Sequence, residues 1–313
     1  LYHVQLNKED ADKNVVTKID LVPADEGSKE IGTMRSPRFS ADGKQLAFLA
    51  TRDIATHGTC SFLCVTDWAT KKTTAVIPIK NEPDAVAGDV GTRFNGLFIG
   101  SLGKRAWSPD GKYIYVVTQV GSRQVWKYVE VATQRLVSPQ YVEGGDVAIE
   151  SVLDRDGDSF LVSVSSPTRP PSVFLVQINP VTGKYVYPPI AIEDQKDASH
   201  YLKTWEVYSI PTSVSDVPAA SNKLPEPPAV LKEVLIPSVT STSDYEATVM
   251  LPSSEPPANG YPVILELHGG PHGNSPVMYR SMCEFWAALG FAIVTVNYRG
   301  STGFGIKALE SLV

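Results

Sequence analysis

The strongest constraint on this chain is a repeat. Arg38-Phe39-Ser40-Ala41-Asp42-Gly43-Lys44-Gln45-Leu46-Ala47-Phe48 recurs as Ala106-Trp107-Ser108-Pro109-Asp110-Gly111-Lys112-Tyr113-Ile114-Tyr115-Val116. A looser third copy runs Val152-Leu153-Asp154-Arg155-Asp156-Gly157-Asp158-Ser159-Phe160-Leu161-Val162. Each is an apolar strand, an Asp-Gly turn and a second alternating strand. Glycine accepts the positive φ such a turn needs, and alternation puts one face of each strand on a core. Gly111 and Gly157 are 46 residues apart, close to the ~40–50 of a four-stranded propeller blade. Gly43 and Gly111 are 68 apart, which implies an inserted loop around Asn81 to Asn95. Residues 1–210 are therefore expected to form an incomplete, all-β propeller of successive antiparallel blades. Unrelated hairpins sharing a common turn are the alternative.

At 313 residues the chain exceeds the ~100–200 of one ordinary domain. Five prolines fall between Pro211 and Pro228, among Ser, Ala, Asn and Glu, so 211–229 reads as a linker. The remaining 230–313 changes character. Strands are expected over Glu246–Leu251, Pro262–Leu267 and Phe291–Asn297, the last two apolar on both faces as in a sheet covered on both sides. Between them Ser275 can cap a helix with Pro276 at its first position. Val277, Met278, Met282, Phe285, Trp286 and Leu289 supply its apolar stripe, and Gly290 ends it. This is the strand–helix–strand unit of a parallel sheet.

His268-Gly269-Gly270-Pro271-His272-Gly273 lies between that strand and that helix, at the edge where α/β sheets bind ligands. In α/β-hydrolases a loop of this type offers a backbone N–H to the oxyanion formed during acyl transfer. Glycine lets the backbone approach the substrate oxygen. Pro271 has no N–H, so the donor precedes it, and Gly270 is favoured over Gly269. A tight turn without a role is the plain alternative.

The next strand runs into Asn297-Tyr298-Arg299-Gly300-Ser301-Thr302-Gly303-Phe304-Gly305. Together with His268-Gly269-Gly270-Pro271-His272, this segment closely resembles the prolyl oligopeptidase family of serine peptidases, especially its acylaminoacyl-peptidase branch (the acylamino-acid-releasing enzymes). The resemblance is strong over Pro262–Gly305, moderate over the first two hairpins and vague elsewhere. It implies a propeller followed by the N-terminal part of an α/β-hydrolase domain. The implied enzyme is cytoplasmic and needs no cofactor or metal. It releases an N-acylated residue from short blocked peptides through an acyl-enzyme. The family further implies homo-oligomeric assembly and a propeller that restricts entry to short peptides. Its Ser, His and Asp triad lies on the carboxyl side of the Tyr-Arg-Gly-Ser segment, hence beyond Val313. Gly-x-Ser-x-Gly occurs nowhere in the chain, so Ser275, Ser301 and Ser311 are not candidate nucleophiles. The oxyanion loop also suits an esterase or a plain oligopeptidase, and a non-catalytic scaffold of the same fold is the reading from a different class. The chain begins at Leu1 rather than Met and stops at Val313 inside an element, so both ends are expected to be cut.

Other patterns point away from other functions. His268 and His272 sit in a glycine-rich turn rather than on a helix face, so they read as supports of the loop, not as zinc ligands. Gly300–Gly305 matches no phosphate-binding fingerprint, and loop flexibility accounts for its glycines. Arg299 is expected to hold the same loop. Asp154–Asp158 lacks the spacing of a calcium loop, and Asp42 and Asp110 are expected to satisfy turn amides. The net charge of −6, with no basic run, argues against nucleic acid. Apolar runs such as Phe291–Val296 fall far short of the ~20 residues of a membrane helix. Three cysteines suit a reducing compartment, with Cys60 and Cys64 as buried thiols.

Overall fold

The computed structural model describes residues 2–5, 13–52, 59–84, 92–140, 149–195, 199–210, 245–270 and 272–310. The expected linker 211–229 and part of the expected insertion lie outside them. Strands β1 (Tyr2–Gln5) and β2 (Val15–Lys18) pair antiparallel. Then β3 (Val22–Pro23) and a one-turn helix α1 (Glu26–Lys29) lead into a first antiparallel meander. It comprises β4 (Thr33–Phe39), β5 (Gln45–Thr51), β6 (Phe62–Asp67) and β7 (Lys72–Ile77), with β3 parallel to β7 at the outer edge. A second contains β8 (Tyr113–Val120), β9 (Arg123–Glu130) and β10 (Arg135–Val137), and Trp107 bridges Ile114 where a first strand would stand. A third contains β11 (Ile149–Asp156), β12 (Ser159–Ser166), β13 (Arg169–Gln177) and β14 (Ile190–Glu193). One parallel bridge, Ile149 to Gln124, links β11 to β9. No sheet closes among the described residues, and this nearly all-β stack is compatible with an incomplete propeller.

The meanders pack face to face. Leu49, Leu63 and Ile77 of the first share a core with Trp107, Ile114 and Val129 of the second. Tyr115, Trp126 and Tyr128 of the second meet Phe160, Val162 and Phe174 of the third. Trp126 lies 4.9 Å from Phe160 between ring centroids, and Tyr115 lies 4.8 Å from it on the same cluster. The strand-spaced aromatics of the sequence thus act as packing between meanders.

The repeat is reproduced bond for bond in its first two copies. Ser40 Oγ donates to Asp42 Oδ1 at 2.7 Å, Asp42 Oδ1 accepts the Lys44 amide at 3.1 Å, and the Gln45 amide donates to Ser40 Oγ at 3.0 Å. Ser108, Asp110, Lys112 and Tyr113 repeat this set at 2.7, 3.1 and 2.9 Å. Gly43 and Gly111 adopt φ of 70° and 69°. The third copy differs: β11 and β12 are joined by Gly157-Asp158 alone, because Asp154 stands where the other copies have serine and joins the strand instead.

A second, mixed sheet follows, in the order β15 (Leu202–Ile210), β16 (Tyr245–Pro252), β18 (Ala292–Asn297), β17 (Val263–Leu267). The parallel pair β17 and β18 brackets helix α2 (Ser281–Ala288), and a last short helix is α3 (Ile306–Glu310). Residues 202–210, grouped with the propeller in the sequence, hydrogen-bond here with β16.

The expected helix from Ser275 is corrected. Residues 274–280 are not helical, and α2 starts at Ser281 after an extended Arg280. The Asn297 side chain accepts from the Ser275 amide at 2.7 Å and donates to its carbonyl at 3.1 Å, while the Val277 amide donates to Ser122 O. Those bonds hold the segment extended. The phase changes too: Cys283 and Ala287 pack on Leu202, Met250 and Ile293, whereas Met282, Phe285 and Leu289 are exposed. Val263, Leu265 and Leu267 are likewise 58–60 % exposed, so the outer face of β17 is not covered among the described residues.

Phe160 is fully buried between two meanders, so Phe160→Ala is expected to cost about 3–5 kcal/mol in a chemical denaturation series. The turn carboxylates add a pH dependence. The bond from Ser40 holds Asp42 below the ordinary carboxylate value; at Asp110 burial pushes the other way but is outweighed by the bonds from Ser108 and Lys112. A lowered folded value gives stability that is complete above the unfolded value of ~3.9 and is lost as pH falls through the folded one. The D42N/D110N double variant should therefore show a shallower acid limb than the parent in melts recorded below about pH 4.

Candidate functional site

Because β17 and β18 are parallel, the segments that follow them emerge at one edge of the sheet. The first is the His268–Gly273 loop, in which Pro271 lies outside the described residues, and the second is Tyr298–Gly305. They are sewn together. The His268 ring stacks on Tyr298 at 4.4 Å and 13°, and the Tyr298 hydroxyl donates to His268 O. His268 Nδ1 meets Gly269 O at 2.9 Å and must donate there, since a carbonyl only accepts. In the neutral ring Nε2 then accepts the Ser301 hydroxyl at 2.8 Å. His272 Nδ1 donates to Gly300 O at 3.2 Å, and the Thr302 amide donates to Gly273 O at 2.7 Å.

The Ser301–His268 contact has the partners of a nucleophile and its base but not the setting. Ser301 is fully buried, and Nδ1 faces a carbonyl where a catalytic histidine would be oriented by a carboxylate. It is a strut, as the two histidines were expected to be.

Gly270 has φ of 150°, and a Cβ there would lie 2.7 Å from the His272 backbone nitrogen. Only glycine fits. Gly270 is exposed, and its amide has no hydrogen-bond partner among the described residues. Gly269 is exposed and lends only its carbonyl. Beyond Pro271, the residues His272, Gly273 and Asn274 line a cavity of about 620 Å³ between the meander stack and the second sheet.

The loops also hold the two units together. The turn Gly121-Ser122 between β8 and β9 inserts against them: the Gly121 amide donates to Gly303 O at 2.9 Å, and Asn274 Nδ2 bridges Gly121 O and Thr302 O. Glu246 on β16 accepts the Ser122 amide at 2.7 Å and its hydroxyl at 2.6 Å. The amides of Ile306 and Lys307, at the start of α3, donate to Lys80 O and Asn81 O. Ile306 and Leu309 then cover the face of the first meander that carries Phe48, Phe62 and the free, buried Cys60 and Cys64. This corrects the reading of Gly300–Gly305 as a flexible loop. A Cβ on Gly303 would lie 2.6 Å from Gly121 O, and one on Gly305 would lie 2.6 Å from Asn81 O. Their glycines permit close docking. None of these partners was identified from sequence, although Gly121 and Asn274 interrupt otherwise apolar or polar runs.

Solved structures share this layout. The Pyrococcus horikoshii acylaminoacyl peptidase aligns with a TM-score of 0.54 at 11% identity, covering 88% of this chain and 34% of that one. A puromycin-hydrolyzing peptidase of Mycobacterium tuberculosis aligns at 0.51 and 17%, covering 97% and 46%. The likeness is one of fold and covers less than half of each solved chain. The family follows from sequence comparison. A model described as "Acylamino-acid-releasing enzyme, N-terminal domain" matches residues 1–185. The Homo sapiens acylamino-acid-releasing enzyme is 29% identical over 277 residues, spanning 88% of this chain and 34% of the human protein. That of Sus scrofa is 27% identical over 285 residues, spanning 91% and 35%. The chain belongs to the acylamino-acid-releasing enzyme family, a branch of the prolyl oligopeptidase family of serine peptidases. It spans about a third of the length of the curated relatives it matches.

Two glycines separate docking from backbone strain. Gly290→Ala, at φ 85° with open space around its Cβ, is expected to cost about 1–2 kcal/mol. Gly303→Ala must also push Gly121 away, and should cost about 2–4 kcal/mol while raising amide exchange at 119–122.

Proposed function

We propose that the His268–Gly273 loop is the oxyanion-binding loop of a serine-type peptidase, with the Gly270 amide as donor and Gly269 behind it. The observation that carries this is Gly270, an exposed residue at the carboxyl edge of β17 whose amide has no partner among the described residues, two positions before His272 on the wall of a cavity between the two units. A buried or helix-bonded amide could not serve. Family membership supports the reaction class: release of an N-acylated residue from short blocked peptides through an acyl-enzyme.

In this reading residues 1–201 are propeller, 211–229 connect, and 230–313, whose sheet β15 (Leu202–Ile210) joins at its edge, open an α/β-hydrolase domain whose triad follows Val313. The parallel pair β17 and β18 around α2 fits it. So does the open apolar face of Val263, Leu265 and Leu267, which further strands and helices would cover in a doubly layered sheet. The three cysteines are free thiols, which suits the reducing cytoplasm in which this reading places the protein, and among the described residues no helix is long and apolar enough to cross a membrane.

A serine peptidase needs an exposed serine beside its base. Of the serines near the loop, Ser275 is 8% exposed and Ser301 fully buried. The 313-residue chain is therefore expected to leave an acetyl-alanine reporter at the buffer rate and to resist a fluorophosphonate probe. The same chain extended by its natural downstream sequence should react with both. In the extended protein, a side chain that swings over the Gly270 amide should lower kcat ~10²–10³-fold, as loss of one oxyanion donor does. Probe labelling of a serine within the 313 residues, or an inert extended protein, would overturn the proposal; the second result would favour a scaffold.

A further inference from the structure

The chain carries a net charge of −6, yet the space between its two units is cationic. The 620 Å³ cavity beside His272–Asn274 is lined by Arg35 and Arg123, and no Asp or Glu is among its lining residues that the structure describes. It shares Phe98, Ile99, Gly100, Gln119 and Gln124 with a second cavity of about 640 Å³ that runs along the inner strands of the meanders. Lys104, Arg105 and Arg155 line that one, with a single carboxylate, Asp154, which Arg105 holds at 3.3 Å.

The two arginines of the cavity beside His272–Asn274 are held in place by neighbouring groups. A bulge in β4 sets Arg35 across the cavity wall, where Nε donates to Gly100 O at 3.0 Å and Nη2 donates to Ile99 O and Ser61 Oγ at 2.8 and 2.7 Å. Nη1 of that fixed guanidinium has no partner among the described residues. Arg123 extends from the start of β9, its guanidinium 5.2 Å over the Trp205 ring. Both sit on the turn-and-strand framework that also holds the oxyanion loop.

Resting on the peptidase reading above, the geometry points to a specificity site: Arg35 and Arg123 bind the free C-terminal carboxylate of a short peptide whose acylated end lies at Gly270. An N-acylated peptide has no N-terminal cation, so its C-terminal carboxylate is the one ionised group every such substrate retains. It lies at the far end from the acyl group, and the arginines line the same cavity as His272–Asn274 of the loop. Two guanidiniums on one cavity wall suit the bidentate geometry of that group. The volume lies within the ~300–1,000 Å³ of small-ligand sites, which suits a few residues and no more.

The test is calorimetric titration of the 313-residue chain with acetyl-Ala-Ala-Ala as the free acid, as the C-terminal amide, and with acetyl-Ala-Ala-Asp-amide. The free acid should bind about tenfold or more tighter than the amide, a preference that weakens with salt. Arg123→Gln should reduce that preference about tenfold, and Arg35→Gln likewise, while Arg52→Gln, paired with Glu30 away from the cavity, should leave it intact. The acid-to-amide ratio of the unaltered chain needs no variant, so misfolding of Arg35→Gln cannot mask the result. Equal affinity for acid and amide, or no binding of either, overturns the inference. Binding of the Asp amide as tightly as the free acid overturns the C-terminal assignment. The peptidase reading is decided separately by the probe and reporter on the extended protein, so either can fall without the other.

Discussion

Everything at the candidate site depends on one backbone contact, the insertion of the Gly121-Ser122 turn between Gly303, Asn274 and Glu246. The buried Gly121 amide and Gly303 carbonyl satisfy one another there, the side chains of Asn274 and Glu246 satisfy the Gly121 carbonyl and the Ser122 amide, and buried main-chain groups are costly to leave unpaired. Because the Gly121 amide donates to one backbone carbonyl and the Gly121 carbonyl accepts from Asn274, the contact fixes distance as well as identity. The glycines at 121 and 303 are its geometric condition: a Cβ on Gly121 would meet the Glu246 carboxylate at 2.4 Å, and one on Gly303 would meet the turn at 2.6 Å. Apolar packing then completes what the hydrogen bonds align, as Phe304 meets Tyr245 and α3 covers the first meander.

The Asp-Gly hairpins were legible because all their determinants lie within five residues. Serine, aspartate and glycine at fixed offsets satisfy the same amides at 40–45 and 108–113. The third copy shows the limit of that reasoning. Asp154 replaces the serine whose hydroxyl closes the longer loop, and the chain takes a two-residue turn with the same glycine. The strands β16, β17 and β18 were also legible, as runs of apolar residues bounded by turns. The helix was not, since its start is decided by Asn297 and Ser122, which hold 275–277 extended from 22 and more than 150 residues away. Periodicity counted from Val277 therefore placed Met282 and Phe285 on the wrong face.

At the site, residue types were readable and partners were not. A glycine pair after an apolar strand, followed by proline, signals a constrained loop. Nothing within ten residues signals that His268 would face Ser301, or that Gly303 would meet a turn 182 positions earlier. Gly303 and Gly305 could be read as flexible or as closely packed, and sequence alone offers no means to choose. The cationic cavity was hidden for the same reason. Arg35 and Arg123 are 88 positions apart in a chain of acidic balance, and only the stacking of meanders brings them to one wall.

An amide able to receive a developing oxyanion must be kept unbonded before substrate arrives, in a loop that would otherwise relax to bond it. Leaving it so costs about 1–3 kcal/mol if water is excluded, less where the group is exposed as Gly270 is. Several surrounding bonds resist that relaxation. His268 is fixed on three sides, by Tyr298, Gly269 O and Ser301, and His272 is tied to Gly300, so the backbone on either side of Gly270 cannot turn inward. The φ of 150° leaves no side chain to fill the space. Since Thr302 and Asn274 in turn fasten this loop to Gly121, the orientation of one peptide unit is set by the docking of two units, and in the oxyanion role proposed for it that amide would be held by residues that need not touch the substrate.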